Sequence, residues 1–352
     1  MNMMRANGSR AGFGVVMALV VQVVMATAEE PAEAFRVATA ALAEKAGSAM
    51  TVAGADGWLF LTNELRHTGA GEFWGEAARK VSRAAKPEEA DPMPAILDFK
   101  RQLDAQGIGL LVVPVPPKAV VYPDKSAGMS GWVVPERVDG ALGEFYGALR
   151  AKGVRVVDLT EVFLAARGKG GEPYCRQDSH WSGAGCELAA GQLAEMIRKD
   201  GWYGAVVRGE FQSKETTVTL SGDLREALAE GERPERESVR LRVVSGKDGK
   251  PVVPERGSPV VLMGDSHNLV FHAGADMHAT GAGLPDQLAL ELGFAVDLVA
   301  VRGSGATPAR INLYRNGRAD AGYLKGKKLV IWCFAAREFT ESQGWRLVPV
   351  SK

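Results

Sequence analysis

The chain has 352 residues, 46% hydrophobic and 24% charged, enough apolar material for one large α/β domain or two small ones. Lys and Arg together number 42, as do Asp and Glu, so the formal net charge is zero. That balance lacks the cationic surplus with which a general nucleic-acid binder neutralises phosphate, and no nucleic acid is expected as a partner. A local basic patch facing a polyanionic substrate remains compatible with it.

The chain opens with a targeting pattern. Arg5 and Arg10 form a positive segment, Gly12 to Met25 is uncharged and largely apolar, and Ala26-Thr27-Ala28 offers the small residues of a signal-peptidase site. A cleaved signal peptide over 1–28 is expected, leaving 29–352 as one extracytoplasmic, periplasmic-type domain. The alternative is an uncleaved anchor, but the apolar run is shorter than the ~20 residues that span a bilayer. Three cysteines follow, Cys175, Cys186 and Cys333. An exported compartment permits disulfides, so Cys175 with Cys186 is a candidate staple, while Cys333 lies in an apolar run as a buried thiol would. No CxxC or His/Cys ligand spacing occurs, and neither metal nor cofactor is expected.

In chain order, Ala32 to Ala46 reads as a surface helix. Thr51 to Leu61 reads as short β structure turning at Asp56-Gly57, and the Pro-rich, charged stretch Arg79 to Pro94 as an exposed connection. An alternation follows. Helical patterns over Ala95–Gln106, Arg137–Lys152 and Ser182–Lys199 are interleaved with apolar runs at Ile108–Val113, Val154–Asp158, Pro259–Met263, Ala295–Val301 and Lys328–Phe334. Runs so apolar are buried on both faces, which predicts an α/β fold: a doubly wound parallel sheet with helices on both faces. Residues 206–253 alternate differently and predict a small inserted antiparallel element, read as a lid or a substrate-facing edge.

Two motifs carry chemistry. Met263-Gly264-Asp265-Ser266-His267-Asn268 takes an apolar strand into a glycine and then a serine. Ligands of α/β sheets bind beyond the carboxyl ends of strands, so Ser266 is a candidate nucleophile whose own N–H helps hold an oxyanion. The plain alternative is a helix-capping serine. The second motif, Asp178-Ser179-His180-Trp181, precedes the helix beginning at Ser182. A serine needs a base, and the base needs a carboxylate to fix its tautomer. Residues two apart in an extended segment face the same side, so Asp178 and His180 suit one cleft. His267 competes as base, but a side chain adjacent in sequence to Ser266 normally points away. His67, His272 and His278 show no partner pattern and read as surface or packing residues.

Asp178-Ser179-His180-Trp181 resembles the DxHW motif of the alginate O-acetyltransferase AlgJ/AlgX family, a permuted branch of the SGNH hydrolases in which Asp-x-His precedes the serine. Asp56-Gly57-Trp58-Leu59-Phe60-Leu61, Val115-Pro116-Pro117-Lys118 and Val330-Ile331-Trp332 with Arg337 resemble it as well, in order along the chain. The resemblance implies an SGNH-like fold and a triad of Ser266, His180 and Asp178. It also implies transfer of acetyl groups to an exported polysaccharide, with a membrane-bound O-acyltransferase partner relaying them. The chain departs in setting Ser266 in Gly-Asp-Ser-His rather than Gly-Thr-Ser-Tyr, and in ending without the length of the carbohydrate-binding module of AlgX; both weaken alginate as the substrate. Gly303 and Gly305 after the strand ending at Val301, and Asn268, are further oxyanion candidates. Lys118 is a candidate substrate contact or a solvated loop lysine. Trp181 is either a sugar-stacking platform or packing beneath the triad. The expected activity is O-acetyl transfer, with an esterase on the same triad or a non-catalytic polysaccharide-binding protein as rivals.

Overall fold

The computed structural model describes residues 29–126 and 137–351; the expected signal segment lies outside them. After a helix over Glu29–Ala46, β1 (Thr51–Ala53) and β2 (Leu59–Leu61) form a small antiparallel hairpin. The central sheet holds β3 (Gly109–Val115), β4 (Arg155–Val156), β7 (Val260–Gly264), β8 (Asp297–Ala300) and β9 (Leu329–Ala335); β5 (Phe211–Leu220) and β6 (Glu237–Gly246) form a separate antiparallel ribbon. The order across the central sheet is β4-β3-β9-β7-β8, and every pairing is parallel. The last strand in sequence thus occupies the middle of the sheet.

Alternate residues of each central strand enter different cores. In β3, Leu111, Val113 and Val115 face one apolar cluster, which the helices Gly183–Ile197 and Leu284–Leu292 complete. Leu110 and Val112 face the other, completed by Pro92–Asp104, Gly140–Ala151 and Thr307–Ala319. Ile331 and Trp332 of β9 divide in the same way. Continuous apolar runs follow from this double burial, since neither face of the strand meets water. The doubly wound sheet predicted from the alternation is therefore present.

Several local readings are refined. The connection before Pro94 is more ordered than expected: Pro92 opens a helix, and the Asp91 carboxylate caps it by accepting the Met93 N–H at 2.9 Å. The β5–β6 ribbon does not act as a lid over Ser266. It packs on the Gly183–Ile197 and Leu284–Leu292 helices, with most of β5 exposed. It reaches the site through the segment connecting its strands and through Glu237 of β6, whose carboxylate accepts the Arg176 and Gln177 N–H groups, each at 2.8 Å. Cys175 and Cys186 are both buried free thiols, so the candidate staple is not formed. Cys175 instead sets its sulfur 3.7 Å from the Trp181 carbonyl.

Candidate active site

The carboxyl ends of the parallel neighbours β3, β9, β7 and β8 lie along one edge of the central sheet. Gly264 ends β7 with φ +151°, and a Cβ there would lie 1.6 Å from the Cys333 carbonyl oxygen of the neighbouring strand. Glycine is therefore obligatory at this turn. Asp265 follows; its carboxylate accepts the His267 N–H at 3.0 Å and the Ala335 N–H at 2.7 Å, fixing the start of a 3₁₀ turn over Ser266–Asn268. The first N–H groups of such a turn have no partner within it, which leaves the Ser266 N–H suited to an oxyanion.

Ser266 Oγ stands 2.7 Å from His180 Nε2, and His180 Nδ1 stands 2.6 Å from Asp178 Oδ1. Asp178 Oδ1 also accepts the His180 backbone N–H at 2.9 Å, so the Asp-x-His spacing closes on itself as an Asx-type turn. An ionised carboxylate only accepts; Nδ1 therefore carries the imidazole proton, and the Nε2 lone pair faces the serine hydroxyl. Burial disfavours the charged imidazole, but the charge of Asp178 and its hydrogen bond outweigh it and raise His180 above the ordinary 6.5. A base must be neutral to take a proton. Activity is thus expected to fall as pH drops through a value above 6.5, in initial-rate profiles of acetyl-ester cleavage. An acid limb at or below that value contradicts the assignment.

Asp178 Oδ2 is engaged as well. It accepts the Asp223 backbone N–H at 3.0 Å and His278 Nε2 at 2.8 Å. Asp223 replies with its own carboxylate, which accepts the Ser179 N–H at 2.7 Å and the Ser179 hydroxyl at 2.5 Å. This brace comes from the segment joining β5 to β6. It requires Gly222, where a Cβ would fall 2.1 Å from the Gln177 carbonyl oxygen. Asp223 and His278 escape sequence reasoning: no motif singles out Asp223, and His278 reads as a surface or packing residue. A Gly-Asp pair and a loop histidine carry no local periodicity that would mark them.

Of the other sequence candidates, Lys118 is neither a substrate contact nor solvated. It is buried, and its ammonium donates to the carbonyls of Leu59 at 2.7 Å, Arg176 at 2.9 Å and Asp178 at 3.0 Å. Trp181 is fully buried and offers no stacking face; its indole N–H donates to the His267 carbonyl at 3.0 Å. Asn268 spends its amide on the carbonyls of Asp265 at 3.1 Å and Cys333 at 2.8 Å, so that amide is not aimed at an oxyanion. Gly305 packs against Asp265, where a Cβ would meet the Asp265 nitrogen at 2.8 Å; Gly303 turns in open space at φ +94°. Ser304 between them hydrogen-bonds buried Glu338, whose carboxyl burial raises to about 7. The Gly303–Gly305 turn is thus brought beside the nucleophile's loop.

His267 directs its Nδ1 to Asp265 at 3.1 Å, while the hydroxyl of Ser266 is engaged by His180. Burial lowers the His267 pKa, which keeps the ring neutral. His272 pairs with Asp286 at 2.9 Å, and buried His67 with Thr340 at 3.0 Å. Arg337 presents a buried Nη1 without a hydrogen-bond partner among the described residues, 3.9 Å from Glu64. Ligand atoms of Asp178, His180 and Asp223 lie within 4.8 Å of one another, close enough to share a metal ion, but all three are already joined by the hydrogen bonds above.

Residues 51–336 match the family described as SGNH hydrolase-like domain, acetyltransferase AlgX. The chain belongs to that family. Among curated relatives, the probable alginate O-acetylase AlgJ of Pseudomonas aeruginosa is 24% identical over 295 residues, covering 81% of this chain and 69% of that protein. Its namesake in Pseudomonas fluorescens is 29% identical over 178 residues, covering 48% of this chain but only 44% of that protein. The O-acetyltransferase domain of Pseudomonas putida AlgJ shares the fold with a TM-score of 0.62 at 22% identity, covering 82% of this chain and 92% of that one. Pseudomonas aeruginosa AlgX gives 0.58 at 18% identity, covering 81% and 62%. Within the AlgX family, then, this is an SGNH-type enzyme.

Proposed function

We propose that the chain is an O-acetyltransferase that moves an acetyl group through a Ser266 acyl-enzyme onto hydroxyls of an exported polysaccharide. The observation that carries this is the unbroken relay from Ser266 Oγ through His180 to Asp178, at 2.7 and 2.6 Å, at the carboxyl end of a central strand. His180 takes the Ser266 proton as Oγ attacks the acetyl carbonyl. The tetrahedral oxyanion is held by the Ser266 N–H, with the Gly303–Gly305 turn beside it. Collapse expels the donor's leaving group, which takes the proton from His180. A sugar hydroxyl then gives its proton to the same imidazole and receives the acetyl group, regenerating the serine.

The family supports transfer rather than hydrolysis, and relatives named as alginate O-acetylases support a polysaccharide acceptor. A membrane-bound O-acyltransferase as acetyl source is part of the same proposal and rests on the motif resemblance at Asp178-Ser179-His180-Trp181 alone. Export rests on the Arg5–Ala28 pattern, and a protein that keeps Met1 and stays in the cytoplasm would remove that part. The deciding experiment feeds the purified protein a chromogenic acetyl ester with and without oligosaccharide. Acetylated sugar together with an acetyl adduct on Ser266 is expected. Release of acetate alone, with sugar present, assigns an esterase instead.

A further inference from the structure

Resting on that reading of the triad, we infer that His278 is a positioning residue for the reaction: a second imidazole that pins the carboxylate serving His180. Asp178 has two oxygens and four donors. His180 supplies two to Oδ1, while Asp223 N–H and His278 Nε2 supply one each to Oδ2, at 3.0 and 2.8 Å. Asp178 is almost wholly buried and is held well below the usual carboxylate range, because its bonds and charge interactions with His180 and His278 outweigh the burial that opposes ionisation. An ionised partner obliges His278 to carry its proton on Nε2. Oδ2 is thus held by two donors from different segments, and without His278 only the longer bond from the Asp223 N–H restrains rotation about Cβ–Cγ.

The backbone that delivers His278 is unusual. Phe271, Gly274, Ala275 and His278 all have positive φ, at 58°, 70°, 50° and 70°. Three of the four carry a Cβ, for which this region is unfavourable, and such residues persist where the surrounding structure imposes them. Here the imposing contacts are visible. Ala273 bridges to Thr280, the Phe271 N–H bonds the Met277 carbonyl at 2.8 Å, and Asp276 is clasped by Arg302 at 2.8 and 3.0 Å. A loop needed only for packing has no reason to aim a polar ring nitrogen at a carboxylate 100 residues away in sequence.

The test measures how fast phenylmethanesulfonyl fluoride sulfonylates Ser266 in the full chain, by mass spectrometry, which needs neither acetyl donor nor sugar. His278→Ala is expected to slow labelling about tenfold, the loss of one hydrogen bond to a charged group. His278→Gln, whose amide nitrogen reaches the Nε2 position, is expected to restore most of the rate. If the alanine variant does not fold, His278→Leu, which matches the bulk but donates nothing, takes its place beside the glutamine variant. Wild-type labelling in the alanine or leucine variant overturns the inference. So does a glutamine variant as slow as either, since shape rather than donation would then matter. Ser266→Ala distinguishes the deeper failure: labelling at another residue would overturn the triad itself.

Discussion

Ser266→Ala is expected to lower acetyl transfer at least about 10⁴-fold while leaving the fold intact, because the remaining crevice keeps its oxyanion donors but has no atom to carry the acetyl group. Among the described residues the hydroxyl makes one hydrogen bond, to His180 at 2.7 Å, and its removal opens no large cavity. Thermal unfolding of the variant should therefore coincide closely with that of the wild type, and the acetyl adduct should vanish from the peptide containing residue 266. Acetylated sugar formed at an undiminished rate by this variant would rule out covalent transfer through Ser266.

Lys118→Met is expected to destabilise the protein by about 3 kcal/mol or more, because three buried carbonyls lose their donor. Its ammonium joins two segments distant in sequence from it and from each other: β2 through Leu59, and the loop of the base through Arg176 and Asp178. The methionine fills the space but leaves these carbonyls without a donor, and each buried, unpaired carbonyl costs about 1–3 kcal/mol. The same change frees the backbone at Asp178, so turnover should fall alongside stability. Denaturant titration and initial rates on one preparation measure both. A variant unfolding at the wild-type denaturant midpoint would show that the three bonds contribute little. Lys118→Arg is not a conservative rescue, since a planar guanidinium does not fit a site built around one compact ammonium.

The sequence made the chemistry legible at two places for local reasons. Asp178 and His180 are two apart, and the turn they form lets Asp178 Oδ1 accept both the His180 N–H and its Nδ1, so their juxtaposition is local. Ser266 follows a strand that is apolar throughout, and Gly264 marks the tight turn; both features are written in neighbouring residues. Resemblance then joined two segments that no local pattern connects. The misreadings concern residues whose partners are remote. Lys118 looked like a loop cation because its three acceptors are backbone carbonyls, which no side-chain pattern records. Cys175 and Cys186 looked bridgeable from their closeness in sequence, yet remain thiols. His278 had no visible partner because that partner is Asp178, 100 residues earlier.

By itself, then, the sequence determined the class of fold, the strand that carries the nucleophile and the acid–base pair beside it. Periodicity and short spacings act within a few residues and survive any arrangement of the elements. Only the tertiary structure decided that β9 enters the middle of the sheet, that Asp223 reaches in from the ribbon, and that a second histidine closes on the buried carboxylate. Those contacts join segments 45 to 100 residues apart, and only the packing of the elements onto the sheet brings them within hydrogen-bonding reach.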